Sequence, residues 1–459
     1  MRTILSLAGL AVAIAATSVS AQARGAWFPG AAYPVGLALA DENRDGKADV
    51  VSGNVRRSVS ILLGRGDGRL QRGVAFRAPG EHEGAAIADL NGDGVADLVL
   101  FDEFNAVSVM LADGKARFGA PVDYPAGRRP WTGALGDLNG DGAPDIVAVD
   151  WGKDEISSAD DRVVALLNKG DGTFGPPVFT TGPPTELPWS LAAVDLNNDG
   201  KADVVETTDQ SVLNVLLGKG DGTFEAPRAL ATDGPSTGVV AADLNGDGRP
   251  DLAVGHDGGN VDMFLGAADG SFGPAKQAII DLFGANTLVA ADFNNDGHTD
   301  LAAAPFDQKV KGVVAVLLGR GDGTFLDTQF YFTGRDPGIA PALAAGDLNG
   351  DGRPDLVSEV GSAVAVLTAL PDGTFSAAAR YPTGPRYCVV PHVINFVSAR
   401  AQNAILQGGC RVGPIHRLYS RKYLPGRVMR QKPSAFAEPE PPRGTPVTLW
   451  VSRGPRRHR

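Results

Sequence analysis

Short apolar runs separated by turn signals recur along most of the chain. One unit reads Leu191-Ala192-Ala193-Val194, an acidic turn, Val204-Val205-Glu206-Thr207, the run Val212 to Leu217, a Gly-rich turn, and a fourth segment opened by Thr223-Phe224. Four short strands with turn signals every 8 to 12 residues or so, repeated at close to 50 residues, is the arithmetic of a β-propeller blade. The acidic turn marks the period. Its copies begin at Asp41, Asp89, Asp137, Asp195, Asp243, Asp292 and Asp347, seven in all.

Each copy has the form Asp-x-Asn-x-Asp-Gly-x-x-Asp. The first supplies Asp41, Asn43, Asp45, Lys47 and Asp49, the second Asp89, Asn91, Asp93, Val95 and Asp97, and the third Asp137, Asn139, Asp141, Ala143 and Asp145. The fourth supplies Asp195, Asn197, Asp199, Lys201 and Asp203, and the fifth Asp243, Asn245, Asp247, Arg249 and Asp251. Asp292, Asn294, Asp296, His298 and Asp300 form the sixth, and Asp347, Asn349, Asp351, Arg353 and Asp355 the seventh. Calcium takes hard oxygen ligands. Side-chain oxygens at positions one, three, five and nine with a backbone carbonyl at seven can wrap one ion, and Gly at six permits the sharp turn. Position seven varies freely, as suits a residue that lends only its carbonyl. An EF-hand would need Glu at position twelve and flanking amphipathic helices, and the sequence has neither. One such cluster reads equally as a solvated turn. Seven complete copies read as seven structural calcium sites.

These repeats, with runs such as Asp347-Leu348-Asn349-Gly350-Asp351-Gly352 and Leu317-Leu318-Gly319-Arg320-Gly321-Asp322-Gly323-Thr324-Phe325, resemble FG-GAP/VCBS repeats of the integrin-alpha type over about residues 26 to 384. The resemblance implies a seven-bladed, calcium-stabilised propeller. Leu70 replaces the aromatic in the first repeat, and the third and sixth repeats carry insertions near residues 151 to 162 and 305 to 312. Counting Trp27-Phe28, the aromatic segment occurs eight times, so the N-terminal copy is expected to help close the ring. Arg65-Gly66-Asp67 and Arg320-Gly321-Asp322 fall in a repeated Gly-rich turn and read as hairpin chemistry.

Composition adds three facts. The chain has 60 Gly and 32 Pro in 459 residues, too many for long helices to dominate. Its net charge of -11 excludes a generally basic nucleic-acid binder, yet residues 385 to 459 hold 14 Lys+Arg against 2 Asp+Glu (+12), which leaves -23 for the rest. The start, Met1-Arg2-Thr3, the apolar run Ile4 to Ala16 and the small residues to Ala23, has the form of a secretory signal over residues 1 to 23 and is too short for a membrane span. Cys388 and Cys410 are the only cysteines, and in an oxidising compartment an isolated pair reads as one disulfide.

After Gly384 the repeat stops. A helix is expected over Ser398 to Gly409, then strands over Val412 to Ser420, Val428 to Gln431 and Pro446 to Ser452. Gly426 to Pro433 together with Arg443 to Gly454 resembles a PASTA domain over residues 387 to 454, a small α+β module associated with peptidoglycan. Residues 455 to 459 read as a basic, solvated tail.

No nucleophile motif, zinc spacing or other catalytic signature stands out. Trp131 and Trp189 stand six residues before the first loop aspartate, where other repeats have Val35, Glu83, Thr237, Asn286 and Pro341. A position so varied is expected at an exposed blade edge. With Arg128, Arg129 and Glu186 nearby, the two rings form a candidate sugar or peptide platform, the competing reading being rings wedged between blades. The expected protein is all-β, a seven-bladed calcium-binding propeller over residues 24 to 384 plus the PASTA-like module. Its function reads as a secreted binding or adhesion protein for an extracellular glycan or protein, with a cell-wall contact. The alternative is an extracellular carbohydrate-active lyase or hydrolase on the same scaffold.

Overall fold

The computed structural model describes residues 34–54, 58–77, 82–102, 105–150, 162–182, 188–208, 210–256, 258–279, 285, 287–304, 312–334, 342–360, 363–383, 411–418, 422–423, 425, 427–432 and 446–453. Among them every regular element is a strand. Seven four-stranded antiparallel sheets follow one another along the chain, each pairing its strands in sequence order. The fourth sheet is typical, with strands Asp203–Thr208 and Val212–Leu216 flanked by Pro188–Val194 and Arg228–Ala231. Such repeated sheets are consistent with a β-propeller.

Burial explains the order within a sheet. Second strands such as Asp145–Asp150 and Asp251–His256 are buried along their whole length, and the third strands are buried after their first residue. Fourth strands such as Arg228–Ala231 alternate or lie exposed. Continuous apolar runs therefore mark the strands covered on both faces. The first strand of each sheet packs beside the first strand of the next, and Leu343–Gly346 of the seventh lies against Pro34–Ala40 of the first. Among the described residues seven apolar clusters follow the same order, one between each pair of neighbouring sheets. The last joins Leu348, Val357, Val364 and Val366 of the seventh to Val50, Leu62 and Leu70 of the first.

The expected aromatic occupies a slightly different place from the one read in the sequence. Phe224 does not open the fourth strand. It forms an isolated bridge with Gly218 across the preceding turn, as Leu70 does with Gly64 in the first sheet. The Arg-Gly-Asp turns behave as hairpins: Gly66 and Gly68 have φ of 74° and 76°, and Asp67 accepts from the Arg69 amide.

A separate three-stranded sheet is built from Arg411–Leu418, Pro446–Ser452 and Val428–Lys432. Pro446–Ser452 is central, parallel to the first and antiparallel to the last. The three C-terminal strands thus form where expected. Trp27-Phe28, the insertions near 151 and 305, the helix expected over Ser398 to Gly409, Glu186, Cys388 and Cys410 lie outside the described residues.

Candidate functional site

The acidic loops join the first and second strands of the sheets, all at one end. Two left-handed backbone positions shape them. Position six is Gly throughout, with φ between 78° and 85°, and position four is Arg44, Gly92, Gly140, Asn198, Gly246, Asn295 or Gly350, all at positive φ. Short polar side chains and Gly tolerate that region, and Arg44 is the departure.

Within each loop the side chains first hold their own turn. In the fourth, Asp195 accepts from the amides of Asp199 and Gly200, Asn197 Oδ1 from Asp199, and Asp199 Oδ1 from Lys201. The same bonds recur around Asp41, Asp89, Asp137, Asp243, Asp292 and Asp347.

Position nine does something the sequence did not announce. Each of Asp49, Asp97, Asp145, Asp203, Asp251, Asp300 and Asp355 is fully buried. Each spends one oxygen on the amide of loop position two and the other on the amide that follows the third strand. Asp203 takes Leu196 N at 3.0 Å and Gly218 N at 2.7 Å. Asp49 takes Glu42 and Gly64, and Asp355 takes Leu348 and Ala369. This carboxylate is a strut tying the acidic loop to the neighbouring hairpin. Burial raises it, the two amide bonds offset part of the shift, and the charges at positions five and one raise it again, to about 6 for Asp203.

Do the residues fit calcium? Every side-chain donor at positions one, three, five and nine is a hard oxygen, and a carboxylate has about four lone-pair sites, so amide bonds leave acceptor capacity for a cation. Positions three to five are partly or fully exposed in every copy. The donor set fits. Among the described residues no group of three His, Cys, Asp or Glu side chains placed to hold a metal occurs. Position seven also proves less neutral than its variability suggests. Lys47, Lys201, Arg249 and Arg353 turn their cations back onto the position-five aspartate of their own loops. Val95 and Ala143 cannot.

A second residue escaped sequence reading. Glu42 fills position two of the first loop, where the others have Leu90, Leu138, Leu196, Leu244, Phe293 and Leu348. It is fully buried, and neither of its carboxylate oxygens has a hydrogen-bond partner among the described residues. Burial, followed by the charges of Asp49, Asp97 and Asp41, pushes it up to about 8. The break in an otherwise apolar position was the available signal.

At the opposite end of the sheets, Trp131 lies on Pro130–Gly136 and Trp189 on Pro188–Val194, first strands that pack side by side. In five sheets the ladder between first and second strands slips at the varied position. The irregularities fall at Val35, Glu83, Trp131, at Trp189 with Ser190, and at Thr237. A β-bulge leaves one residue unpaired and re-aims its side chain. Arg128 and Arg129 are brought beside this bulge by their backbone amides, which both donate to Asp150 Oδ1 while Arg162 holds Oδ2.

FG-GAP-like repeat models match residues 41–100, 89–148, 152–206, 205–254, 243–303 and 292–358. The chain belongs to the FG-GAP-like repeat family. All seven acidic loops fall within these FG-GAP-like matches, four of which run from one loop into the next. No curated protein matches the chain. Among solved structures it is similar to an Agrocybe aegerita lectin, described as specifically recognising non-reducing terminal N-acetylglucosamine. That likeness has 23% identity and a TM-score of 0.54, and covers 74% of this chain and 90% of the lectin. It is also similar to BBS1N, solved in complex with ARL6DN, at 12% identity and a TM-score of 0.50 over 79% of this chain and 100% of that one. These likenesses concern the fold.

Proposed function

We propose that the chain is a secreted, seven-bladed, calcium-stabilised propeller that binds an extracellular ligand, a glycan or a protein, on the rim opposite the acidic loops. One observation carries the reading. The loop end repeats one chemistry seven times, whereas the bulged position at the other end carries Val, Glu, Trp, Trp and Thr in five successive sheets. Bulges tend to occur beside functional sites, and exposed aromatics supply much of the energy of recognition. Trp131 and Trp189, on neighbouring first strands with Arg128, Arg129 and Glu186 close in sequence, are the centre of that rim. The fold relatives include one described as recognising a sugar and one solved with a protein partner, so both ligand classes suit the scaffold.

In this reading the oxygens of positions one, three, five and nine and the carbonyl of seven hold one calcium per loop, and the ion supplies charge neutralisation that keeps the turn closed. The C-terminal sheet is a PASTA-like module contacting peptidoglycan. A glycan array probed with the full chain, with and without calcium, tests the recognition. Binding by the native chain that disappears in a Trp131→Ala, Trp189→Ala double variant of unchanged melting temperature supports it. Undiminished binding by that variant moves the site elsewhere, and melting and calcium content falling together would show the rings to be inter-blade core.

A further inference from the structure

The outer strand of every sheet leaves one edge unpaired among the described residues. An open edge invites pairing with another chain, and proteins blunt such edges with charge or proline. Five of the seven carry one or both here. Val74–Arg77 carries Arg77, Arg228–Ala231 carries Arg228 and Lys276–Ile279 carries Lys276. Val122–Pro125 and Ala379–Pro382 each carry a charge and a proline. Val178–Thr181 has no charge of its own, but the Arg162 guanidinium sits 4.1 Å over the ring of its Phe179.

The sixth sheet is different. Its outer strand, Gln329–Phe332, has neither charge nor proline, and Phe330 and Phe332 are 50% and 58% exposed. They stand on one face, two residues apart, while Tyr331 between them packs edge-on against Phe375. Leu326, just before the strand, is also exposed. Beside this strand, a groove of about 480 Å³ opens between the fifth and sixth sheets, lined by Met263, Lys276, Leu326, Asp327 and Phe330 among others.

We propose that this edge is a self-association surface, at which the Gln329–Phe332 strands of two copies of the chain pair antiparallel about a two-fold axis at Tyr331. Residues directly opposite one another in an antiparallel pair share a face. A two-fold at Tyr331 therefore sets Phe330 of each copy against Phe332 of the other and gathers four phenyl rings on one face. An isologous contact needs a surface complementary to itself, which this strand is. Self-pairing of the strands bearing Arg77, Asp123, Arg228, Lys276 or Arg380 would bring like charges together instead. Size fixes the strength. Half-exposed rings at roughly 150–250 Å² per fully buried side chain give on the order of 400 Å² for the four, well below the roughly 1,200 Å² of stable complexes. The dimer is weak and forms only at high protein concentration, with the groove taking part of the aromatic surface.

Sedimentation velocity of the full chain from micromolar to near-millimolar concentration tests this. The expected result is a dimer fraction that rises with concentration and is absent at every concentration in a Phe330→Lys, Phe332→Lys variant. Both side chains are on the surface, so the variant should keep the native circular dichroism and melting temperature; Phe332→Lys alone serves if it does not. A chain that remains monomeric at the highest concentration overturns the proposal. So does a dimer that survives the substitutions.

Discussion

The two ends of the sheets obey different rules. At the loop end each unit solves one problem in one way: a left-handed pair of backbone positions, three turn-holding side chains, and a buried aspartate whose two oxygens bind two amides. At the other end the ladder slips, and the residue at the slip differs in each of the five sheets that show it except for the repeated Trp. Polar groups near that end are anchored case by case. Asp150 gathers Arg128, Arg129 and Arg162, Thr208 bonds Val212 and Gln210, and His256 faces Asp262. Repetition thus marks the loop chemistry that ties each sheet together, and variation marks the position at which the ladder slips.

If that division is right, perturbing the two ends should separate stability from binding. Chelation should have the largest effect. With a dissociation constant of roughly 0.1 mM in about 1 mM calcium, linkage contributes about 1.4 kcal/mol per loop and about 10 for seven. Excess chelator should lower the melting temperature by on the order of 10–20 °C, reversed by added calcium. An unchanged melting curve would remove the ion from the account.

His256 comes next. Its Nε2 lies 2.9 Å from Asp262 Oδ2, both side chains being almost fully buried. Burial alone would lower the imidazole, but Asp262 outweighs it and the net shift is upward, while Asp262 itself is held below the usual carboxylate range. The contribution of a raised histidine is complete below its unfolded value of about 6.5 and fades as pH climbs through the folded one. That of a lowered aspartate is complete above about 3.8 and fades as pH falls through the folded one. Stability from the pair is therefore greatest between about pH 4 and 6.5. His256→Gln should cost about 3–5 kcal/mol there and less at alkaline pH, measured by denaturant melts across pH.

Position nine sharpens the loop end itself. Asp203→Ala leaves the Leu196 and Gly218 amides without acceptors, about 2–5 kcal/mol in all, and this loss should persist in chelator. Asp199→Ala, which removes a turn and cation oxygen but no strut, should matter chiefly when calcium is present. Equal losses for both in chelator would contradict the strut.

At the other end, Trp131→Ala with Trp189→Ala should cost over about 2 kcal/mol in ligand binding and leave melting unchanged. The smallest effect is expected from Lys201→Ala. Freeing Asp199 from an exposed ion pair worth about 0–1 kcal/mol should tighten calcium at the fourth loop severalfold at most, read by isothermal titration calorimetry.

Much of this was legible from local pattern, because the constraints involved are local. Repeat period, strand count per unit and loop positions follow from side chains that act within about ten residues of one another, as Asp195, Asn197 and Asp199 do. Three features were not legible. The pattern places the aromatic at the start of the fourth strand, whereas Phe224 sits in a bridge across the turn. The spacing of the ninth aspartate speaks only for a cation ligand, since its second amide lies about fifteen residues away at the far end of a hairpin. Position seven varies as suits a residue that lends only its carbonyl, and nothing in the spacing says that Lys47 or Lys201 will fold back on its own loop.

The sequence alone determined what repeats: seven copies of one turn chemistry, fixed by glycine at the left-handed sites and by short polar side chains that can reach their own backbone. Only the tertiary structure decided which equivalent positions differ in consequence. The outer strands differ in charge and proline already as strings of four residues, but that Phe330 and Phe332 stand exposed at an unpaired edge is decided by how the sheets pack. The variation at Val35, Glu83, Trp131, Trp189 and Thr237 is visible along the chain, but only pairing shows that the ladder slips there. Burial, register and edge exposure are properties of neighbours brought together from distant parts of the chain, and no window of local sequence contains them.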